Sequence, residues 1–284
     1  MFSIDQIISF WNDFFFTPES PFNIALLRIL WGILLLASGF LYYHERHFQY
    51  GPNGILHLDF YKKAYSGTRR TLLTVLPQKE SSVDKIYFIY FIFSLFVLVG
   101  FLTNISAFVV FICLTSLHNR NPLSIYSGDD ILRIVCFFIA FSGGGLMMSV
   151  DAIIFDYPEN IMASPWGTRL LQIFVSFIYI KCVLWKLKGP LWRNGTAVHY
   201  PLYVEIYKRW SLPKWLRSKN GIKFLTYSTL VVELSLGTLI WVEEFRLPVL
   251  AAGILLHLGM EYAMNLQLFE WKMICLLMIF LPII

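Results

Sequence analysis

The stretch FNIALLRILWGILLLASGFLYY, residues 22–43, decides the class of this protein. It holds a single charge, Arg28, and a helix of about 20 apolar residues is what a bilayer core requires. The stretch therefore reads as a membrane span. Around it, 57% of the chain is hydrophobic and only 14% charged, with mean hydropathy +0.62. An ordinary soluble domain carries about 25% charged residues, so this chain is too apolar for water. Its apolar residues come in long runs parted by charged clusters, the pattern of spans and loops. The expected architecture is an all-α, polytopic membrane helical bundle of about eight transmembrane helices, organised as one domain over residues 1–284.

Working outward, residues 86–100 and 105–117 read as a transmembrane hairpin, and 131–150 as the fourth span. Runs at 169–187, 222–241, 247–260 and 268–284 complete the set. Residues 1–21 precede the first span. Within them Ile4, Ile7, Ile8 and Trp11 share a helical side, which suggests a short interfacial helix. Basic residues collect in the loops 44–85 and 188–221 and at Arg120, whereas Asp151, Asp156, Glu159, Glu243 and Glu244 fall on the opposite side. Lysine and arginine mark the cytoplasmic side, so eight spans and this asymmetry support each other and place both termini outside. No cleavable signal peptide is expected, because Asp5 and Asp13 precede the first basic residue, Arg28.

Several functions lose support at this level. The net charge of +5 comes from loops beside apolar runs, where a membrane surface attracts cations, so a nucleic-acid partner is not expected. Cys113, Cys136, Cys182 and Cys275 lie inside apolar runs without CxxC spacing, which indicates neither a disulfide framework nor a zinc site. His44, His47, His57 and Asp59 follow the first span and read as a wet interfacial loop, so no metal is expected. The phosphate-loop, HExxH, GxSxG and GxGxxG motifs are missing from the sequence.

What remains are ionisable residues inside apolar runs. A charge near the bilayer centre costs at least ~2.5 kcal/mol, so such residues face a partner or a wet cavity. Arg28, Arg133 and Glu233 are expected to face the bundle interior, although the arginines sit near helix ends and have snorkelling as an alternative. Tyr179 and Lys186 stand seven residues apart, two turns along one helix face, and put a phenol and an amine on one wall. Lys181 lies about 140° around the helix from Lys186. His257 and Glu261 share a face at i and i+4, with His257 a candidate for the opposite wall.

The order of motifs SPFNIALLRILWGILLL (20–36), HNRNPLSIYSGDDILRIVCFF (118–138), LLQIFVSFIYIKCVLWKLKGPLWRNGTAVHYPL (170–202) and HLGMEYAMNLQLFEW (257–271) resembles the HTTM family. This is the transmembrane domain shared with vitamin K-dependent gamma-carboxylase. The third stretch is the most specific, with Tyr-x6-Lys-Leu followed by Gly-Pro-x-Trp-x-x-Gly-Thr-Ala.

The resemblance implies a reduced, vitamin K-like quinone as cofactor, Lys186 as base toward it and Tyr179 in its pocket. It also brings His257, Asn119 and Arg120 forward as cofactor-binding candidates, the last two near the position of the carboxylase's Asn-His pair. Only a neutral amine takes a proton, and an apolar pocket favours that form. The carboxylase has a large soluble region for its glutamate substrate, where this sequence ends in its last expected span. The alternative is a noncatalytic accessory or maturation protein for a secreted peptide or protein client, like the HTTM member that helps mature a bacterial toxin. A transporter ranks behind both, since paired broken helices are not evident. Expected partners are membrane lipid, a quinone and such a client, and the expected location is the bacterial inner (cytoplasmic) membrane.

Overall fold

A computed structural model describes residues 3–65 and 67–282. Among these residues the regular elements are all helical, with two isolated β-bridges. The helices are α1 (Ile4–Phe16), α2 (Phe22–Tyr43), α3 (Arg46–Tyr50), α4 (Leu58–Tyr65), α5 (Leu72–Val75), α6 (Glu80–Val99), α7 (Thr103–Arg120) and α8 (Ser127–Phe141). Then come α9 (Val150–Ile154), α10 (Trp166–Lys188), α11 (Pro190–Arg193), α12 (His199–Tyr203), α13 (Lys219–Gly237), α14 (Glu243–Ala263) and α15 (Phe269–Leu277). Two compact units divide the chain, Met1–Thr168 and Arg169–Ile284.

Among the described residues, three helices, α2, α6 and α10, are long and apolar enough to cross a membrane. The span read at 22–43 coincides with α2. The one read at 131–150 does not survive as a single helix. At 1.5 Å per residue, 15-residue α8 reaches about 22 Å, short of the ~30 Å hydrocarbon core. It stops at Phe141 because three consecutive glycines follow, the first at φ +71°. The run read at 268–284 likewise yields only α15 and a 3₁₀ turn, Met278–Phe280, before Pro282. The ends of two readings, residues 1–2 and 283–284, lie outside the described residues.

In the first unit, α6 packs between α2 and α7, α7 packs on α8, and α2 also meets α8. Leu27, Trp31, Leu35, Val97, Val110, Val135 and Ile139 form its interior. A β-carbon at Gly32 would stand 2.5 Å from Leu98 Cα, so only glycine lets α2 and α6 approach this closely. Two of the large polar side chains inside have backbone partners: Trp31 Nε1 donates to Leu132 O at 3.1 Å and Tyr90 Oη to Leu35 O at 2.5 Å. The loop 44–85 folds into α3, α4 and α5, and Leu56, Leu58 and Tyr61 bury a small cluster there. α1 opens with a Ser3–Gln6 capping box and leaves Ile4, Ile7, Ile8, Phe10 and Trp11 exposed. That exposed face suits an interface between water and lipid.

Arg28 is fully buried. Its guanidinium donates to Val97 O (2.9 Å), Leu98 O (2.7 Å), Gly144 O (3.0 Å) and Met148 O (2.5 Å). The last four carbonyls of a helix have no intrahelical donor, and Arg28 supplies one to two of those at the end of α6. Gly100 closes the same end at φ +72°, its N–H donating to Phe96 O. A β-carbon there would meet Arg28 Nη1 at 2.7 Å. Asp151 completes the corner by accepting from Leu102 N (2.7 Å) and Thr103 N (2.8 Å) at the start of α7. Arg28 thus faces the interior rather than snorkelling. Arg133 does not. It is half-buried and pairs with Asp130 at 2.7 Å along its own helix.

In the second unit, α14 packs against α13 and α15. α10 is tied in by Gln172 Nε2 donating to Ile279 O (2.9 Å) and by Trp241 Nε1 donating to Ser176 Oγ (2.8 Å). α13 ends at Gly237, where α10 comes so close that a β-carbon would stand 2.6 Å from the Ile180 side chain.

Candidate functional site

Within the second unit, four helices bring a set of ionisable side chains together. Tyr179 and Lys186 project from the same side of α10, as their spacing requires. The buried Tyr179 hydroxyl lies 2.8 Å from His257 Nε2 on α14, and His257 Nδ1 lies 2.5 Å from Glu270 Oε2 on α15. A carboxylate accepts only, so Nδ1 carries the imidazole proton, leaving Nε2 to accept from the phenol. The result is a directed chain, Tyr179 to His257 to Glu270, in which His257 is 3% and Glu270 0% exposed. Burial of that depth keeps water from competing for any of its bonds.

Two turns further along α10, Lys186 Nζ forms an ion pair with Glu233 Oε1 on α13. The ammonium also lies 4.8 Å from the centroid of the Trp192 ring, a cation–π contact. Glu233 Oε2 and Glu270 Oε1 are buried, and no protein group among the described residues donates to either. An ionised carboxylate can accept about four hydrogen bonds, so both retain acceptor capacity inside the unit.

Each residue singled out in the sequence has a definite place. Tyr179 and His257 share a hydrogen bond, and Lys186 belongs to the same unit through Glu233. Lys181 is exposed, with Nζ 5.8 Å from the Phe177 ring centroid. Glu261 pairs with Arg209, and the carboxylate that meets His257 is Glu270 instead. Glu270 is the residue the sequence reading missed. As an acid within the last apolar run it met the same criterion as Glu233, whereas the i, i+4 spacing drew attention to Glu261.

Asn119 and Arg120 belong to the first unit. Asn119 Nδ2 donates to Arg70 O at 2.7 Å, and buried Arg120 donates from Nη2 to Gly51 O at 2.7 Å. Together with Asn121 Nδ2 donating to Gln49 O at 3.0 Å, the end of α7 pins the backbone of the loop 44–85. His47 of that loop sits 2.8 Å from Asp84, which also accepts from Arg46 at 2.7 Å.

No curated protein and no solved structure matches the chain. A family model, the HTTM domain, matches residues 16–283, which takes in the apolar helices of both units and every residue of the buried network. This membrane protein belongs to the HTTM family.

Proposed function

We propose that the protein acts on a reduced quinone or a related redox-active lipid, with Lys186 as the proton-accepting amine and Tyr179 as the group that orients the headgroup. The observation that carries this reading is the gathering of Lys186–Glu233 and Tyr179–His257–Glu270 in one unit, with Tyr179, Glu233, His257 and Glu270 buried and Lys186 half-buried. The carbonyl form of a quinone offers only acceptors, while its hydroquinone form offers hydroxyl donors. The acceptor capacity left on Glu233 Oε2 and Glu270 Oε1 fits the hydroquinone form. Bound there, a hydroquinone would supply an acidic hydroxyl and a readily oxidised ring.

The protein's part is to hold and move protons. A base must be free of its own proton, and the Glu233 carboxylate paired with Lys186 is the group placed to take it, leaving a neutral amine beside a neutral acid. Glu233 thereby readies Lys186 to accept a proton. His257, held in one tautomer by Glu270, keeps the Tyr179 hydroxyl pointed in one direction.

Mass spectrometry of lipids copurified with the protein tests the proposal. A quinone at near-stoichiometric amount is the expected result, and its loss in Lys186→Met and Tyr179→Phe would tie it to these residues. A stoichiometric peptide in place of the quinone would favour the accessory role in maturing a secreted client.

We also infer about eight membrane-embedded helices in the bacterial inner membrane. With α2, α6 and α10, the lengths of α7, α13 and α14, at 18, 19 and 21 residues, support six of these, and the count of eight adds the shorter α8 and α15 as embedded helices. Single cysteines placed in 51–79 and in 193–219 should then label from the same, cytoplasmic side. Labelling from opposite sides would require an odd number of crossings between them.

A further inference from the structure

The segment 204–217 crosses one end of the second unit, where α14 finishes and α13 begins, and its backbone is fixed there. Arg209 N donates to Ala263 O at 3.0 Å and Asn265 N to Tyr207 O at 2.7 Å, around the isolated bridge between Lys208 and Met264. The Arg209 side chain adds an ion pair with Glu261 and a hydrogen bond to Asn265 Oδ1 at 3.2 Å. Further on, Leu216 N and Arg217 N both donate to Pro213 O, a turn that delivers the chain to Ser218, the N-cap of α13.

Held in this way, the segment leaves large apolar side chains outside: Ile206 is 77%, Trp210 63% and Trp215 67% exposed. An exposed apolar patch rimmed by polar residues marks a contact with protein or membrane. Its charge is one-sided. Residues 204–219 hold Lys208, Arg209, Lys214, Arg217 and Lys219 against Glu205 alone. Glu261 engages Arg209, and among the described residues no carboxylate forms an ion pair with the exposed Lys208, Lys214 or Arg217.

We propose that 204–217 is an interfacial surface that seats on an anionic lipid leaflet, with Ile206, Trp210 and Trp215 among the headgroups and Lys208, Lys214 and Arg217 facing lipid phosphates. Tryptophan is favoured at that depth because its body leaves water while its N–H still finds a polar partner. The basic residues beside it meet a negative surface potential, and each contributes about fivefold to partitioning. A protein partner suits the segment less, since lysine is depleted at the cores of protein interfaces. The depth follows from α13, which begins at Lys219, so that Trp215 stands about one turn outside that helix. This placement rests on α13 being one of the embedded helices inferred above.

The test uses the full chain in nanodiscs of phosphatidylcholine, alone or with part replaced by phosphatidylglycerol. The exposed Cys182 is changed to Ala, and a fluorescent label is attached at Ile206→Cys or, as a reference on the exposed side of α13, at Val231→Cys. Nitroxide-bearing lipid quenches from the membrane and acrylamide from water. At 206, lipid quenching should exceed acrylamide quenching, and their ratio should rise severalfold with phosphatidylglycerol. Changing Lys208, Lys214 and Arg217 together to glutamine should remove most of that rise, and these exposed positions leave folding intact. A ratio indifferent to phosphatidylglycerol, or an undiminished rise in the triple variant, would overturn the proposal. So would shielding of the 206 label from both quenchers, the mark of cover by a second copy or a protein client. Lipid quenching at 231 without any at 206 refutes the surface alone, whereas its absence at 231 takes α13 out of the membrane and the surface with it.

Discussion

Lys186→Met alone should cost the protein about 3 kcal/mol of stability, and adding Glu233→Gln should restore most of it without restoring function. The reason lies in the ion pair. Glu233 is 6% exposed, and with the amine gone its carboxylate is left charged and unpaired among apolar helices. Removing one partner of such a pair typically costs about 3–5 kcal/mol, and the half-buried position of Lys186, where water can reach the pair, favours the lower end. Glutamine at 233 has no charge to strand. If Lys186 is the base, both the single and the double variant should lose quinone-dependent activity entirely, since neither has a titratable amine there. Denaturant unfolding in detergent gives the stability comparison and a quinone turnover assay gives the other. A single variant as stable as wild type would show that the pair contributes nothing, and an active double variant would remove Lys186 from the chemistry. Lys181→Met, on an exposed side chain, should change neither measurement.

Arg28→Leu should be more damaging still, costing about 5 kcal/mol and leaving little folded protein to purify. The substitution withdraws donors from four carbonyls at once, at Val97, Leu98, Gly144 and Met148. Each buried acceptor left unmet costs about 1–3 kcal/mol, and these losses do not add fully because the turn at 142–149 can relax. Arg28→Lys should recover only a small part, since an ammonium cannot reproduce a planar fork that spans the end of α6 and the glycine turn. Monodisperse yield and unfolding temperature would measure the ranking, wild type above Arg28→Lys above Arg28→Leu. If Arg28→Leu behaved as wild type, water or relaxed backbone would already be satisfying those carbonyls.

These two arginine and lysine cases show where sequence reasoning reached and where it stopped. Hydropathy alone placed α2 at its observed ends, and charge inside an apolar run was enough to mark Arg28, Lys186 and Glu233 for attention. The helical period put Tyr179 and Lys186 on one side of α10. These are local properties, dictated by transfer of side chains out of water and by 3.6 residues per turn. Helix length was less legible: Gly143, Gly144 and Gly145 end α8 early although the surrounding run is apolar, because backbone freedom rather than hydropathy decides there.

By itself, then, the sequence determined a helical membrane protein of the HTTM family and a short set of buried polar residues. Only the tertiary structure decided the partners: Glu233 for Lys186, Glu270 rather than Glu261 for His257, backbone carbonyls for Arg28, and no protein acceptor for Arg120 Nη1 among the described residues. A pattern along one chain states which groups need a counterpart in an apolar interior. Which counterpart meets them depends on distances across helices, and a hydrogen bond or ion pair is made or lost within about 1 Å.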